Sequence, residues 1–370
     1  MARLVLPSIE RIPGGRAFAA LSRRVRALIV AGVLFLVLFI LVLTLPVPYV
    51  ILSPGPTCNT LGTGDEASCR ESAGSPIIVI KGRTTNKVTG HLNLTTVSES
   101  GGSVTAFQAF IAWLKHDETV VPYSSVHPPG TSDEQTNEQN AADFSESQDN
   151  ATVAAACELK YPKKFGVVGV TYRGPSDGVL DPGDVLLTLD GKTATTTEAL
   201  QAALAPTKPK QKVTVAVTRA GKPVSVTVTL GATLAGHTGG SLGISPGTVC
   251  AMPFSVDLGL GNRIGGPSAG LMFALGIMAK VGSLNLTDGH FVAGTGTIDA
   301  TGRVGAIGGI ALKMIAARNA GATVFLAPAG NCGDVRGNIP SGLQVVKVST
   351  LSGAVADLQR IETKQSVPSC

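Results

Sequence analysis

The stretch Gly265-Gly266-Pro267-Ser268-Ala269-Gly270 is the most informative part of this chain, and it opens an apolar segment with helical character. A serine on a glycine-rich turn at the start of a helix is placed like a nucleophile rather than like a surface hydroxyl. A hydroxyl attacks an amide only when a base takes its proton. The best candidate for that base is Lys313, which lies 45 residues after Ser268.

The surroundings of Lys313 favour a neutral amine. Gly308-Gly309 precedes a predicted helix that ends near Ala320-Gly321, since glycine commonly follows a helix end. The residues one turn before and after the lysine are small or apolar, namely Gly309, Ile310, Ala316 and Ala317. Burial on that face, close to a helix N-terminus, predicts a lysine pKa of about 7, whereas an exposed lysine would keep its ordinary value. Lys280 lies about 18 Å along the helix after Ser268 and is too distant.

The motif around Ser268 also fits the G-x-S-x-G pattern of α/β-hydrolases. That fold needs an acid and then a histidine after the serine. Only His290 follows, 22 residues on, so a Ser-His-Asp triad is poorly supplied. An esterase that depends on His290 is the weaker alternative.

An uncharged apolar run over residues 27–45 is long enough to span a hydrocarbon core of about 30 Å. Six arginines lie in the first 26 residues, before the run, and predict a cytoplasmic N-terminus with the rest of the chain outside. A cleaved signal peptide would have a shorter apolar region and a small-residue exit site. We therefore predict a single-pass signal anchor in the cell membrane.

All six cysteines follow the predicted anchor, and an even number in an oxidising exterior indicates disulfides. The sequence spacing predicts only one disulfide, Cys58–Cys69, and the pairing of the other four cysteines stays open. The sequence has no CxxC motif and no His/Cys cluster, so neither a metal site nor a cofactor is predicted. Asp190-Gly191-Lys192-Thr193 is similar to the end of a phosphate-binding P-loop, but Leu186 stands where the first glycine is needed, which argues against ATP binding.

Residues 161–232 show regular strand and turn signals. Strands are predicted at 167–170, 185–189, 213–217 and 224–228, and Thr195 with Glu198 predicts a capped short helix. Their order, and the run GVLDPGDVLLTLDGK at 178–192 in particular, resembles a PDZ domain of the bacterial protease type. The resemblance implies a loop that binds a peptide's terminal carboxylate, with the peptide added as a strand beside it. That loop would consist of Lys164, Phe165, Gly166 and Val167. Packing against a neighbouring domain is the alternative role.

A longer series of motifs accompanies Ser268 and Lys313. It comprises Gly294-Thr295-Gly296-Thr297-Ile298, Gly302-Arg303-Val304, Ile307-Gly308-Gly309, Ala316-Ala317 and Ala320-Gly321-Ala322-Thr323-Val324. In order and spacing these motifs resemble the proteolytic domain of Lon-type serine proteases, from about residue 243 to 358. The resemblance implies a Ser-Lys dyad oriented by Thr295. It also implies an oxyanion site at the turn, formed by Gly266, Pro267 and Ala269. Gly265 departs from many ATP-driven members, which have an acidic residue there.

Together these features predict an α+β fold with an N-terminal transmembrane helix and a Lon-type proteolytic domain. A PDZ domain, a partly open β-barrel or sandwich with short helices, is predicted to be inserted in it. The predicted boundaries are a cytoplasmic basic tail at 1–26, the anchor at 27–48, a linker at 49–75, the first part of the proteolytic domain at 76–160, the PDZ domain at 161–232 and the remaining proteolytic domain at 233–370. The acidic run at 117–149 is predicted to be an exposed loop.

The combination resembles the Lon-like, PDZ-containing proteases of Gram-positive and actinobacterial surfaces. It implies a membrane-anchored, ATP-independent serine endopeptidase that cleaves extracytoplasmic polypeptides captured by the PDZ domain. A non-catalytic scaffold with the same two domains is the alternative. The predicted partners are a polypeptide substrate and the membrane, and a homo-oligomer stays open. Nucleic acid is not a predicted partner, because the sequence lacks a basic surface interleaved with aromatic residues.

Overall fold

The structure is a computed structural model that describes residues 22–62, 76–259, 265–283 and 285–370. Its helices are α1 (Arg23–Thr44), α2 (Ala106–Leu114), α3 (Tyr123–Val126), α4 (Asp133–Glu158), α5 (Thr197–Leu204), α6 (Gly270–Val281), α7 (Ile310–Asn319), α8 (Cys332–Val335) and α9 (Leu351–Glu362). Its strands are β1 (Pro46–Val47), β2 (Tyr49–Asn59), β3 (Ile78–Lys81), β4 (His91–Glu99), β5 (Val104–Thr105), β6 (Thr119–Pro122), β7 (Lys163–Val170), β8 (Val185–Leu189), β9 (Lys192–Thr193), β10 (Lys212–Arg219), β11 (Lys222–Thr229), β12 (Ile244–Cys250), β13 (Ser255–Leu258), β14 (Phe291–Gly294), β15 (Thr297–Ile298), β16 (Val304–Gly305), β17 (Val324–Pro328) and β18 (Gln344–Val348). The predicted mixture of helix and strand is confirmed.

The chain divides into two compact units. The first lies within Met1–Ile51 and Ser100–Tyr123, and the second lies within Leu52–Glu99 and Ser124–Cys370. The following paragraphs take each unit by itself.

The first unit contains the apolar helix α1. Its 22 residues extend about 33 Å at ~1.5 Å per residue, which is enough to cross a hydrocarbon core. Its most apolar window has a mean hydropathy of 3.2, and none of that window is buried within the protein. The helix ends at Thr44, short of the anticipated limit at 48, because Pro46 begins strand β1, which pairs with β5.

The second unit is built on a sheet whose strands lie in the order β18-β17-β14-β4-β2. Strands β4, β14, β17 and β18 run parallel, and β2 is antiparallel to β4. Strand β4 thus lies in the interior of this sheet. Strand β3 does not belong to it and pairs with β13 in a separate ribbon.

Helices cover both faces of this sheet, and strand β17 shows how its side chains alternate between them. Val324 and Leu326 join the cluster that contains α6, whereas Phe325 and Ala327 join the cluster that contains α7. Helix α6 is almost wholly buried, as its predominantly apolar sequence requires. The serine that precedes α6 and the lysine on α7 thus belong to helices on opposite faces.

The second unit also contains a separate sheet, which is antiparallel and has the strand order β11-β10-β8-β7-β12, with β9 paired to β8. It confirms the strands expected from alternating valines, and helix α5 packs its Leu200 and Ala203 into the same core. The cap of α5 is one residue later than expected, because Thr196 rather than Thr195 accepts the hydrogen bond from the Ala199 amide. Asp190-Gly191 is the turn between β8 and β9, with both residues at positive φ, which is a hairpin and not a phosphate-binding loop.

The acidic run at 117–149 is not the exposed loop that its composition suggested. It contains β6, α3 and the first two thirds of the 26-residue helix α4. A capping box starts α4, because Ser132 and Gln135 each accept from the other's backbone amide. The polar residues cover its outer side, whereas Phe144, Ser147 and the alanines near its end are buried.

Disulfides connect Cys157 to Cys250 and Cys332 to Cys370. The first joins the end of α4 to the last residue of β12, and the second joins the start of α8 to the C-terminal residue. Cys58 is buried in the core of the second unit. Cys69 lies outside the described residues, so the predicted Cys58–Cys69 bond stays a prediction.

Candidate active site

Ser268 lies in a single 3-10 turn, Pro267–Ala269, that leads directly into α6. Gly266, with φ at 81°, provides the left-handed backbone that this entry needs. Helix α4 fixes the turn from outside: the Gly266 amide donates to Asn140 O at 2.9 Å, and Ser147 Oγ donates to Pro267 O at 2.9 Å. The nucleophile candidate is therefore held by the acidic segment whose helical structure its composition concealed.

Lys313 lies on the first turn of α7 and is only 4% exposed. Its Nζ donates to Ser268 Oγ at 2.8 Å and to Thr295 Oγ1 at 3.1 Å. Burial lowers the pKa of Lys313 to about 8, in the direction expected and by less than the sequence suggested. A substantial fraction of this amine is therefore neutral at mildly alkaline pH, when its lone pair can accept the serine proton.

Helix α7 approaches Ser268 closely because of the glycine that precedes it. Gly309 has φ at 68°, and a Cβ there would lie 2.9 Å from Val97 Cγ2 of strand β4. Ile310, Ala316 and Ala317 are buried, so the apolar face expected around Lys313 is confirmed.

Thr295 is fully buried directly after β14. Its Oγ1 accepts from Lys313 and donates to the backbone carbonyl of Ser268 at 3.0 Å, and the Gly296 amide donates to the same carbonyl at 2.8 Å. One hydroxyl thus links the lysine amine to the backbone of the serine. Thr295 is a positioning residue in this arrangement, because it contacts both groups without facing the open cavity.

The turn residues differ in their ability to stabilise an oxyanion. Pro267 has no amide hydrogen, and the Gly266 amide already donates to Asn140. The amides of Ser268 and Ala269, at the start of the helical segment, are the ones suited to a developing negative charge. Gly266 and Pro267 therefore shape the turn, and the oxyanion role of Ala269, the third residue expected there, stays a prediction.

The position before the turn is also explained by α4. A Cβ on Gly265 would lie 3.0 Å from Asn140 Cβ. An acidic side chain at 265 would have to displace Asn140, whose carbonyl fixes the Gly266 amide. The contact between the serine turn and α4 therefore depends on a glycine at position 265.

A cavity of about 850 Å³ opens beside Ser268 and Lys313. Strand β4 forms one wall, from Leu94 to Glu99, and the serine turn forms another. Strand β14 pairs with β4 only as far as Leu94, so in the described part of the chain the rest of β4 has a neighbour, β2, on one side alone. The open edge of β4 therefore faces the cavity, a feature that sequence patterns did not reveal because it depends on where β14 ends.

His290 is not a partner of Ser268. It is exposed just before β14, at the end of the strand opposite to Thr295. Five residues of extended chain place it roughly 16 Å from the position of Thr295. The esterase alternative therefore lacks the histidine that it requires.

Comparison with known proteins finds two family matches within the second unit. Residues 262–358 match the Lon protease (S16) C-terminal proteolytic domain, and residues 142–230 match the PDZ domain. The chain contains a Lon-type proteolytic domain and a PDZ domain. These matches support a serine peptidase.

Two similar proteins illustrate the extent of the likeness. A mitochondrial Lon protease homolog from Emericella nidulans is 39% identical over 90 residues, which are 24% of this chain and 8% of that protein. The chain thus matches a small fraction of that relative's length. The PDZ domain of the SdrC-like protein from Listeria monocytogenes is 20% identical and covers 22% of this chain and 86% of its own, with a TM-score of 0.21.

The expected carboxylate-binding loop of the PDZ domain is wrong. Lys164, Phe165, Gly166 and Val167 all lie within β7, an interior strand paired to β12 on one side and β8 on the other. The Val167 amide, for example, donates to Asp184 O at 2.8 Å. Pairing to β12 therefore uses one side of this whole segment, and contacts to β8 and Asp184 use the other side at Gly166 and Val167, so the segment is not a free loop.

A groove of about 420 Å³ lies elsewhere in the PDZ domain, between α5 and β12. Leu200 and Leu204 of α5 form one side, and the glycine-rich segment 239–243 with Ile244 forms the other. Strand β12 is the edge of its sheet in the described chain, so its outer backbone faces this groove. The signal for it was Gly239-Gly240-Ser241-Leu242-Gly243, which the sequence-derived boundary at 232 left out of the domain.

The bridging position of Thr295 leads to a testable expectation. Thr295→Val should lower kcat by about 10- to 100-fold with little change in KM, because the amine loses an acceptor and the serine carbonyl loses a donor. The acidic limb of the pH–rate profile should move to lower pH, since the ammonium form loses a hydrogen bond. Thr295→Ser should restore both properties. An unchanged profile in a folded Thr295→Val variant would contradict the positioning role.

Proposed function

We propose that this protein is a membrane-anchored serine endopeptidase with a Ser-Lys dyad that acts outside the membrane without ATP. The observation that carries the proposal is the 2.8 Å contact between Lys313 Nζ and Ser268 Oγ in a buried setting. The Lon-type domain match supports the same chemistry. The sequence offers no phosphate-binding loop, so substrates would be flexible tails and loops.

The geometry supports an acyl-enzyme mechanism. Neutral Lys313 takes the Ser268 proton while Oγ attacks the scissile carbonyl carbon, and the amides of Ser268 and Ala269 stabilise the resulting oxyanion. The lysine ammonium then gives its proton to the leaving amine as the C–N bond breaks. Neutral Lys313 next takes a proton from water, the hydroxide attacks the ester, and the proton returns to Ser268 Oγ as the acid product leaves.

Substrate would bind in an extended form. A polypeptide strand placed along the open edge of β4, from Thr95 to Glu99, would receive backbone hydrogen bonds and pass the serine turn across the cavity. A second segment of the polypeptide would pair with the outer edge of β12 in the PDZ groove. Two such contacts would capture a flexible chain without a motor.

Two features support the outward location. Arg23, Arg24 and Arg26 lie at the N-terminal end of α1, the side that is retained in the cytoplasm. The disulfides Cys157–Cys250 and Cys332–Cys370, in the described part of the second unit, are typical of oxidising compartments.

Cells that produce the protein can be compared with cells that produce its Ser268→Ala form. We expect new polypeptide ends on the outer side of the membrane only with the intact serine, because peptide bonds there are cleaved by Ser268. Mass spectrometry of peptide termini from the outer and cytoplasmic fractions measures this. New ends confined to the cytoplasm would refute the orientation, and identical ends in both strains would refute the protease.

A further inference from the structure

Helix α2 of the first unit, Ala106–Leu114, carries an unusual amount of exposed apolar surface. Its sequence is AFQAFIAWL, and only Ala112 is buried. Phe110 is 53% exposed, Trp113 71% and Leu114 54%, and Phe107 and Ile111 are exposed as well. Large aromatic and aliphatic side chains grouped on one short helix indicate a surface that contacts something other than water.

The helix is well formed in spite of that exposure. Thr105 and Gln108 make a capping box in which each side chain accepts from the other's backbone amide. The exposed side chains are therefore presented by a defined element rather than by a frayed segment.

Helix α2 is attached to the end of α1. The Ala106 amide donates to Leu45 O, the residue directly after α1, at 3.3 Å. Strand β1, which follows α1, pairs with strand β5, which precedes α2, so that Pro46 lies opposite Thr105 and Val47 opposite Val104. Within this unit, α2 therefore begins where the membrane-spanning candidate ends, which is the level of the membrane–water interface if α1 spans the bilayer.

The neighbouring side chains suit an interface between hydrocarbon and water. Tyr49 and Tyr123 of the same unit are also exposed, and tyrosine and tryptophan are enriched at the headgroup level of membranes. The residues after α2 turn polar at once, with Lys115 paired to Glu118 at 2.6 Å. An apolar helix that ends in charged residues is the pattern of a segment lying on a bilayer.

We propose that α2 lies at the membrane–water interface on the outer side of the cell membrane. Its phenylalanines, Trp113 and Leu114 would insert among the lipids beside the C-terminal end of α1. This inference rests on the anchor in the proposed function and adds a second membrane contact to it. Such a contact restricts the rotation of the first unit about the axis of α1, which a single spanning helix leaves free.

Trp113 is the only tryptophan in the chain, so the tryptophan fluorescence of the wild-type protein reports the surroundings of α2. The full chain is reconstituted in phosphatidylcholine vesicles, with and without lipids brominated near the headgroup end of their acyl chains. We expect bromolipid to reduce the tryptophan fluorescence by about two-fold or more, and aqueous iodide to have little effect. Quenching by iodide alone would overturn the proposal. Protection from both quenchers would also overturn it, because it would indicate a protein partner such as a second copy.

A second variant separates this result from the anchor itself. Trp113→Phe combined with Phe35→Trp moves the single tryptophan to the middle of α1. Quenching of this variant by lipids brominated deep in the acyl chains, together with iodide-accessible Trp113 in the wild type, would retain the anchor and reject the interfacial helix. If lipids brominated deep in the acyl chains fail to quench the tryptophan at position 35, both the anchor and the interfacial helix would be rejected.

Discussion

Ser268→Ala and Lys313→Met are each expected to reduce peptide-bond cleavage by about 10⁴-fold or more, because each removes one half of a unit that acts together. The alanine variant has no oxygen to form the acyl-enzyme. The methionine variant keeps the volume and burial of the lysine side chain but has no lone pair that can take the serine proton. Hydrolysis of a labelled, unfolded polypeptide by the purified full chain in detergent measures both losses.

A half-buried lysine on α6 provides the matched control. Lys280→Met makes the same chemical change, and burial lowers the pKa of Lys280 as well, but this residue lies near the far end of the helix that begins after Ser268. We expect this variant to keep most of the wild-type rate. Cleavage retained by both the Ser268 and the Lys313 variants would reject the dyad, and no cleavage by the wild-type chain would favour the non-catalytic scaffold. Equal losses in the Lys313 and Lys280 variants would indicate a fold effect instead of a missing base.

The chemical part of the site could be predicted from the sequence because its signals are local. The glycine turn around Ser268 and the apolar helix face around Lys313 each lie within a few residues of the group that they position. The role of Thr295 was inferred from the resemblance to Lon-type domains, and in the structure its hydroxyl lies between Ser268 and Lys313. The contact between Ser268 and Lys313 itself was an inference from chemistry, since 45 residues separate them in the sequence and their helices pack on opposite faces of the central sheet.

The features that sequence patterns missed depend on long-range pairing. The edge of β4 is open only because β14 ends at Gly294, and no periodicity in β4 encodes that. The segment Lys164–Val167 looked like a loop by resemblance, but β12, which follows some 80 residues later, pairs with it. Helix α4 was concealed by its polar composition, because its buried contacts to the serine turn come from only a few side chains.

The pH dependence of cleavage is expected to follow the neutral form of Lys313. Burial lowers the pKa of this amine to about 8, so kcat/KM should rise with pH and level off above that value. A group with this pKa is about half neutral at pH 8 and about 1% neutral at pH 6, which predicts a loss of about 50-fold between them. Initial rates at low substrate concentration, measured from pH 6 to 9.5, give this profile.

Asp149 of α4 is the group whose titration must be separated from that of Lys313. Burial raises the pKa of this carboxyl to about 7, and its Oδ2 accepts from the Val170 amide of the PDZ domain at 2.8 Å. Asp149→Asn keeps an acceptor for that amide and removes the charge. If Lys313 controls the rate, the Asn variant keeps the same acidic limb near pH 8, whereas a limb that disappears in this variant would assign the pH dependence to the carboxyl. A wild-type profile that is flat from pH 6 to 9 would remove the lysine from its role as the base.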